Sequence, residues 1–389
     1  MQVEHAILGA GCAGLSLAAK LADRPRQAAC APEKIALIGP ADRRPTHGWG
    51  FWQMPWLDDA AGLARKKWTK WQFINADQCI THHSTAHPYH LLDSHKWLAH
   101  CTDKLEDSPL IWLKEQAEAV DVQAIRTPAH HLRADQIYDS RPPRPAPDIL
   151  WQHFLGQEVR SKEPLFDPDT AILMDFRVSQ KDGLHFIYLL PFSAHEALVE
   201  STYFSHMPLS HDIYRQNIKT YLAAHFGLDD FEIRREEAGQ IPMGPVASHQ
   251  EGLIGLGGNG GAIRPSSGYA FAFIQKQIAQ MMTHKGLSAP QAVHSRMDLW
   301  MDAVFLQVLR QRPELGPDLF IAMACQLDGD AMARFMSGEA RLSDLASIIL
   351  AMPKWPFIKA GLSEILSRQP SVRETQAGQT KNGRAEVQP

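Results

Sequence analysis

Hydrophobic and polar positions change rhythm several times along this chain, and each change predicts an element. Near the start an apolar run (Ala6, Ile7, Leu8) meets Gly9, Gly11 and Gly14 in a G-x-G-x-x-G pattern, and a small, Leu-rich segment with helical spacing follows. Such a strand–turn–helix suits a dinucleotide. Gly9 permits the tight turn, Gly11 lets a pyrophosphate approach the backbone, and Gly14 lets helix and strand pack closely. The helix N-terminus then offers free N–H groups to the phosphates. Lys34–Ile38 predicts the second strand and Ser94–Glu106 a helix. Ala134–Asp139 predicts a short strand, and the turn residues Pro142–Pro147 mark a boundary.

Beyond that boundary Ile172–Val178, His185–Leu190 and Ala197–Phe204 alternate or run apolar between turn residues, which predicts three neighbouring antiparallel strands. Ile213, Ile218, Tyr221 and Leu222 share one face of a helix over Asp212–Phe226, and Arg234–Met243 predicts a returning strand. Leu253–Tyr269 carries a second glycine cluster and Ala270–His284 a long helix, so two phosphate-friendly corners are expected to meet around one dinucleotide. Asp298–Ile365 is largely helical, with Leu345–Ile358 apolar enough for a buried helix. From Ser367 onward the chain is polar and predicts disorder.

Composition narrows the class. Apolar residues make up 44% and charged residues 21%, ordinary for a globular protein, and a net charge of −4 supplies no general attraction to nucleic acid. Five cysteines without a C-x-x-C pair argue against a disulfide framework or zinc site. No pair among the histidines His82 to His100 has metal-ligand spacing with a carboxylate helper, so no metal is expected. The chain enters its glycine motif at once and has no run of ~18 apolar residues, so neither a cleaved signal peptide nor a spanning helix is expected. Two features depart from the simplest picture. Gly39 stands where an acid usually holds a ribose, leaving Asp42 in the following loop as the candidate. His47–Trp71 is rich in tryptophan without one period; core packing accounts for most such residues, and the loop context turns Trp49 and Trp52 toward a ligand.

The segments YDSRP (Tyr138–Pro142), QHFLGQEV (Gln152–Val159), ILMDF (Ile172–Phe176), ALVEST (Ala197–Thr202), EEAGQIPM (Glu236–Met243) and GGNGGAIRPSSGYAF (Gly257–Phe271) come in one order. In that order the chain resembles the bacterial lycopene β-cyclases, up to about Leu366. The resemblance implies an α/β fold of the hydroxylase and glutathione-reductase type. It would comprise a discontinuous Rossmann-like FAD domain (1–60, 125–148, 236–297), an inserted antiparallel-sheet substrate domain (61–124, 149–235), a helical C-terminal region (298–366) and a tail (367–389). It also implies reduced FAD, NAD(P)H as reductant, and cyclisation of the ψ ends of lycopene to β-rings without net redox change. Gly257, Gly258, Asn259, Gly261, Pro265 and Gly268 would join Gly9, Gly11, Gly14 and Asp42 at the cofactor.

Cyclisation of this kind needs a proton delivered to an unactivated alkene by an acid that stays protonated near neutrality, hence one buried beside hydrocarbon. On its residues alone Glu200 is either that acid or a glutamate on the solvent face of a strand; the resemblance implies the acid. Asp175 is a second candidate for handling a proton or orienting Glu200, or else a buried structural aspartate. Glu236 and Glu237 are weaker candidates. Trp49, Trp52 and Tyr269 would offer ring faces to a carbocation. An insoluble polyene implies a site mouth facing a membrane lipid surface on the cytoplasmic side, with peripheral attachment around Leu345–Ile358. The rival readings are an FAD-dependent monooxygenase or reductase on an isoprenoid or aromatic substrate, and a carotenoid- or flavin-binding carrier.

Overall fold

A computed structural model describes residues 1–23, 34–41, 47–106, 108–283 and 286–367. Its first sheet is parallel at the centre. Gln2–Leu8 lies between Ile35–Ile38 and His131–Asp139, Ile111–Leu113 extends one side, and Ile254–Gly255 pairs with His131–Asp139 on the other. The strand reads as a continuous apolar run because both its faces are covered: Ile7 packs into one core, Val3, Ala6 and Leu8 into another. The helices Cys12–Ala22, Ser94–Glu106 and Phe271–Met281 pack together on one face, with Trp97 Nε1 and Gln275 Nε2 both donating to Ser16 Oγ.

The second sheet has seven strands in the order Glu232–Met243, Leu150–Arg160, Glu196–Ser205, Leu184–Pro191, Thr170–Asp175, Lys70–Ile74, Cys79–His83. All neighbours are antiparallel except Thr170–Asp175 with Lys70–Ile74. The three strands predicted as antiparallel neighbours are so. The helix His211–Phe226 covers one face, burying Ile218 and Leu222 against Val199 and Tyr203, each aliphatic side chain contributing roughly 1.5–3 kcal/mol. It ends where Gly227 adopts φ 62° and the N–H groups of Gly227 and Leu228 return to Ala223 and Leu222. The aromatic stretch that showed no single period resolves into short strands. Gly48–Trp52 and Lys66–Trp68 flank Tyr89–Asp93 in a separate three-stranded sheet.

The pairings divide the chain differently from the boundaries expected above. Ser94–Glu106 and Ile111–Leu113, assigned to the substrate domain, belong to the first sheet and its helical layer, because Ile111–Leu113 completes its edge. Glu232–Met243 lies wholly in the second sheet, paired along its length with Leu150–Arg160. The helices Arg296–Gln311, Gly316–Gln326, Gly329–Met336, Leu342–Ala351 and Lys354–Ser367 follow, the first opened by a reciprocal Ser295–Asp298 capping box.

Among the described residues no single helix is long and apolar enough to cross a membrane; Leu342–Ala351 and the start of the next helix meet at a 114° bend. The apolar Leu345–Ile358 stretch, expected to be buried, instead straddles the surface: Ile348 is buried, while Leu350 is 73% and Trp355 77% exposed. Asp42 and the tail beyond Ser367 lie outside the described residues.

Candidate functional site

The two glycine corners do meet. Gly11 caps the Cys12–Ala22 helix with no side chain closing the N-terminus, and a Cβ there would touch nothing within 4 Å. A Cβ on Gly14 would sit 1.9 Å from the Gly9 carbonyl oxygen, so strand and helix approach as the motif requires. From the second corner, a Cβ on Gly257 would meet that of Ala13 at 2.5 Å. The YDSRP segment braces this junction. Ser140 Oγ donates to the Leu8 and Gly9 carbonyls, and fully buried Asp139 takes a bidentate pair from Arg141.

Gly39 has a steric explanation: a Cβ would lie 2.6 Å from Ala10 N, so the usual ribose-holding acid has no room. Asn259 spends its amide on protein, donating to the Asp139 carbonyl at 2.9 Å and accepting from His249 N at 2.6 Å. Buried Arg264 ties the loop to the C-terminal helices through Asp302 and the Phe335 carbonyl.

A cavity of about 680 Å³ lies between this corner and the second sheet, lined by Cys12 at the start of the first helix and by residues of the second sheet. Trp49, Trp52, Glu200, Gly268 and Tyr269 line it; Gly9, Gly11, Gly14, Gly257, Gly258, Asn259, Gly261 and Pro265 stand around the corner rather than in its wall. Trp52 is buried edge-on against Tyr89 at 4.7 Å, and Trp49 stacks on Phe271 at 4.7 Å. Three hydroxyls converge in the wall: Tyr89 Oη lies 2.8 Å from Tyr188 Oη and 3.1 Å from Tyr269 Oη. Burial raises all three phenols, so they stay neutral. Gln152 Oε1, Ser267 Oγ and Trp52 Nε1 are buried without a hydrogen-bond partner among the described residues, and all three residues line the cavity. Unpaired polar atoms beside an open glycine cradle fit a bound group that is both phosphorylated and heteroaromatic.

Strand alternation places the acid. Leu198, Glu200, Thr202 and Phe204 face the cavity, whereas Ala197, Val199 and Tyr203 face the His211–Phe226 helix. With one face under a helix and the other under the cavity, this strand has no solvent face, and the exposed part of Glu200 opens into the cavity. Burial raises the Glu200 carboxyl well above its ordinary range, and a hydrogen-bonded second carboxyl, Glu237, raises it further. Glu237 is raised too, chiefly by burial; Arg235 Nη2 at 3.6 Å and the Gly48 N–H at 3.1 Å offset part of that. The two carboxyls titrate as a pair, and the Arg235 and Gly48 contacts of Glu237 favour placing the shared proton on Glu200.

Asp175 is placed elsewhere. It is fully buried, takes a bidentate pair from Arg177 and the Tyr221 hydroxyl at 2.7 Å, and is absent from the cavity wall. The structure brings Glu237, a weaker candidate by sequence, into the cavity wall, and sets Gly156, which the sequence reading did not single out, in register with both glutamates. A lone glycine inside the strand-forming QHFLGQEV segment was the available signal, since such a glycine marks close approach by a neighbour.

The family profile described as "Lycopene cyclase protein" matches residues 5–361. The chain belongs to the lycopene cyclase family. Curated relatives include the lycopene beta-cyclase of Pantoea ananas, 27% identical over 65% of this chain and 70% of that protein, and that of a Paracoccus species, 27% identical over 58% and 63%. With the Pseudescherichia vulneris lycopene beta-cyclase the identity is 33%, over 31% of this chain and 32% of the relative, so these matches span from about a third to 70% of the relatives' lengths.

Solved structures show how the family's fold relates to others. A geranylgeranyl bacteriochlorophyll reductase-like protein of Thermoplasma acidophilum superposes with TM-score 0.59 at 12% identity, covering 94% of this chain and 99% of its own. A flavin-dependent halogenase of Xanthomonas campestris gives 0.56 at 12%, covering 95% and 96%, and a p-nitrophenol 4-monooxygenase of Pseudomonas putida 0.52 at 13%, covering 93% and 98%. The chain therefore has the two-lobed fold, Rossmann-like in its first sheet, with a helical C-terminal region.

Proposed function

We propose that this chain is a lycopene β-cyclase that binds FAD at the paired glycine corners, uses it reduced with NAD(P)H as reductant, and closes the ψ ends of lycopene into β-rings. The observation that carries this reading is the Glu200 carboxyl, buried in the wall of an aromatic-lined cavity and hydrogen-bonded to a second carboxyl, Glu237, a setting that favours its protonated form. Gly9, Gly11 and Gly14 with the Gly257–Gly261 turn would hold the dinucleotide, and Gln152 and Ser267 have free polar atoms for its ring system. When bound, a reduced flavin would supply negative charge near the reacting end group.

The protein's own part is proton transfer. Glu200 delivers its proton to C2 of the terminal alkene, leaving a cation at C1. The C5=C6 pair attacks C1, forming the C1–C6 bond, and loss of the C6 proton restores neutrality. Trp52 and Tyr269 present ring faces to the cation, each worth about 1–2 kcal/mol in a dry site. The tyrosine hydroxyls, bonded to each other, are poor traps for it. The exposed Leu350, Trp355, Ile358 and Leu362 would rest on the lipid that holds the substrate.

A second reading, an FAD-dependent monooxygenase or reductase, is favoured by the fold, which halogenases and a monooxygenase share. Expression in a lycopene-accumulating host, with pigment chromatography, tests the choice. Conversion of lycopene to γ- and β-carotene of unchanged mass supports cyclisation. An oxygenated or hydrogenated product, or unchanged lycopene beside folded protein, overturns it.

A further inference from the structure

The two carboxyls of the site meet because of one missing side chain. Leu150–Arg160 runs between Glu196–Ser205 and Glu232–Met243, and Gly156 is in register with Glu200 on one neighbour and Glu237 on the other. A Cβ at Gly156 would lie 2.6 Å from Glu200 Cγ and 3.1 Å from its Oε1. The glycine therefore leaves a gap over the central strand, and the glutamates of the two flanking strands reach across it to hydrogen-bond on the cavity side. Glu236, one residue earlier, is spent on Arg215 and Gln157.

The two partners differ in what surrounds them. Glu237 Oε2 accepts from the Gly48 N–H at 3.1 Å and lies 3.6 Å from Arg235 Nη2, which also reaches Glu158 at 2.7 Å and Asp93 at 3.5 Å. Donors and positive charge favour the anion on Glu237 and leave the proton to Glu200. A carboxylate held by an N–H and a guanidinium is also a weak nucleophile toward a carbocation. In the proposed ring closure the carbon that gains a proton, C2, and the carbon that loses one, C6, are both neighbours of C1. An acid and a base side by side suit that pair of positions.

We propose that Glu237 is the base of the reaction, taking the C6 proton and returning it to Glu200 across the gap left by Gly156; this rests on the cyclase reading above. The Glu200 O–H bond breaks as C2–H forms. The C6–H bond then breaks, its electrons become the ring C5=C6 bond, and its proton joins Glu237. Transfer of that proton to the Glu200 carboxylate restores the starting state, with no net proton, electron or water consumed.

The test compares wild type, Glu237→Gln, Glu237→Asp and Gly156→Ala. Each is loaded with FAD, reduced by NADPH and supplied with lycopene in phosphatidylcholine vesicles. Rates are expressed per flavin-containing folded protein, and ring types are separated by chromatography. Glu237→Gln is expected to slow β-ring formation at least ~10-fold. A larger share of the remaining rings should have lost the proton from C4 or from the C5 methyl, giving ε- or γ-rings. Glu237→Asp should recover β-rings relative to Glu237→Gln, and Gly156→Ala, which parts the carboxyls without removing either, should shift ring type in the same direction. Glu237→Gln forming β-rings alone within twofold of the wild-type rate overturns the assignment, as does equal loss in Glu237→Gln and Glu237→Asp. Wild-type protein that binds flavin yet leaves lycopene acyclic overturns the cyclase reading itself, and this proposal with it.

Discussion

Two buried acids in the same sheet have opposite fates. Asp175 faces Arg177 and Tyr221, and its charge is neutralised where it stands; the pair in turn holds Arg177 more firmly in its charged form. Glu200 faces another carboxyl, so burial pushes it toward the neutral acid. Burial alone does not make an acid catalytic. What decides is whether the nearest group rewards the anion or the proton. Asp175 spends its charge on holding strand, turn and helix together, whereas Glu200 has surroundings that favour the neutral acid, the form the proposed cyclisation requires.

Substitutions should separate the two roles. The largest effect is expected from Glu200→Gln, which removes the proton while keeping the shape; cyclisation should fall by about 10²–10⁴-fold in a lycopene assay. The same change should leave urea unfolding at pH 8 unharmed or improved. A carboxyl raised in the folded state binds its proton more tightly there than in the unfolded chain. Stability therefore falls as pH climbs from the ordinary glutamate value through the raised one, and glutamine removes that loss. Improvement at pH 8 but not at pH 4 is the diagnostic pattern, and equal destabilisation at both would contradict it.

Asp175→Asn should do the reverse. It leaves Arg177 and Tyr221 without their anion and should cost about 2 kcal/mol in chemical denaturation, reduced from the value for a fully buried pair because Arg177 reaches solvent. Turnover per folded molecule should stay within a few-fold of wild type; a Glu200-like collapse of activity would restore Asp175 to the chemistry.

A smaller effect concerns the far face of the sheet. His185 Nδ1 donates to the Ser179 carbonyl at 3.0 Å, and its ring stacks on Tyr203 at 4.0 Å. His153 lies between Tyr214 Oη and Ser205 Oγ, at 2.6 and 2.8 Å. Burial pulls both histidines down from 6.5 to about 4. The unfolded chain binds the extra protons first, so stability should decline as pH drops from 6.5 toward 4, opposite in sign to the carboxyl pair. Thermal melts across that window should show a shallower decline in His153→Gln.

Much of this was legible in the chain. The first glycine corner, the helix Ser94–Glu106 and the three central antiparallel strands follow from local pattern, because turn geometry and side-chain period are set by neighbours in sequence. On its residues alone Glu200 was legible only as a glutamate in an apolar strand, and the family resemblance supplied its expected role as the acid. Alternation assigns it to one face, and a strand cannot say what covers that face. Glu237 and Gly156 were harder still: they stand far from Glu200 in sequence, and their significance lies in the register of three strands. For Asp175 the sequence left a proton-handling and a structural role open; Arg177 lies two residues on, but the Tyr221 hydroxyl reaches it only after a helix 46 positions away folds over the sheet.

The amino-acid sequence by itself determined the elements, the nucleotide corner and the family, since those rest on short-range geometry and on residues in a fixed order. Tertiary structure alone decided which carboxyls share a proton and which is tied to a cation. Electrostatic environment is a property of what lies within a few ångströms in space, and strand pairing, not chain distance, sets those neighbours.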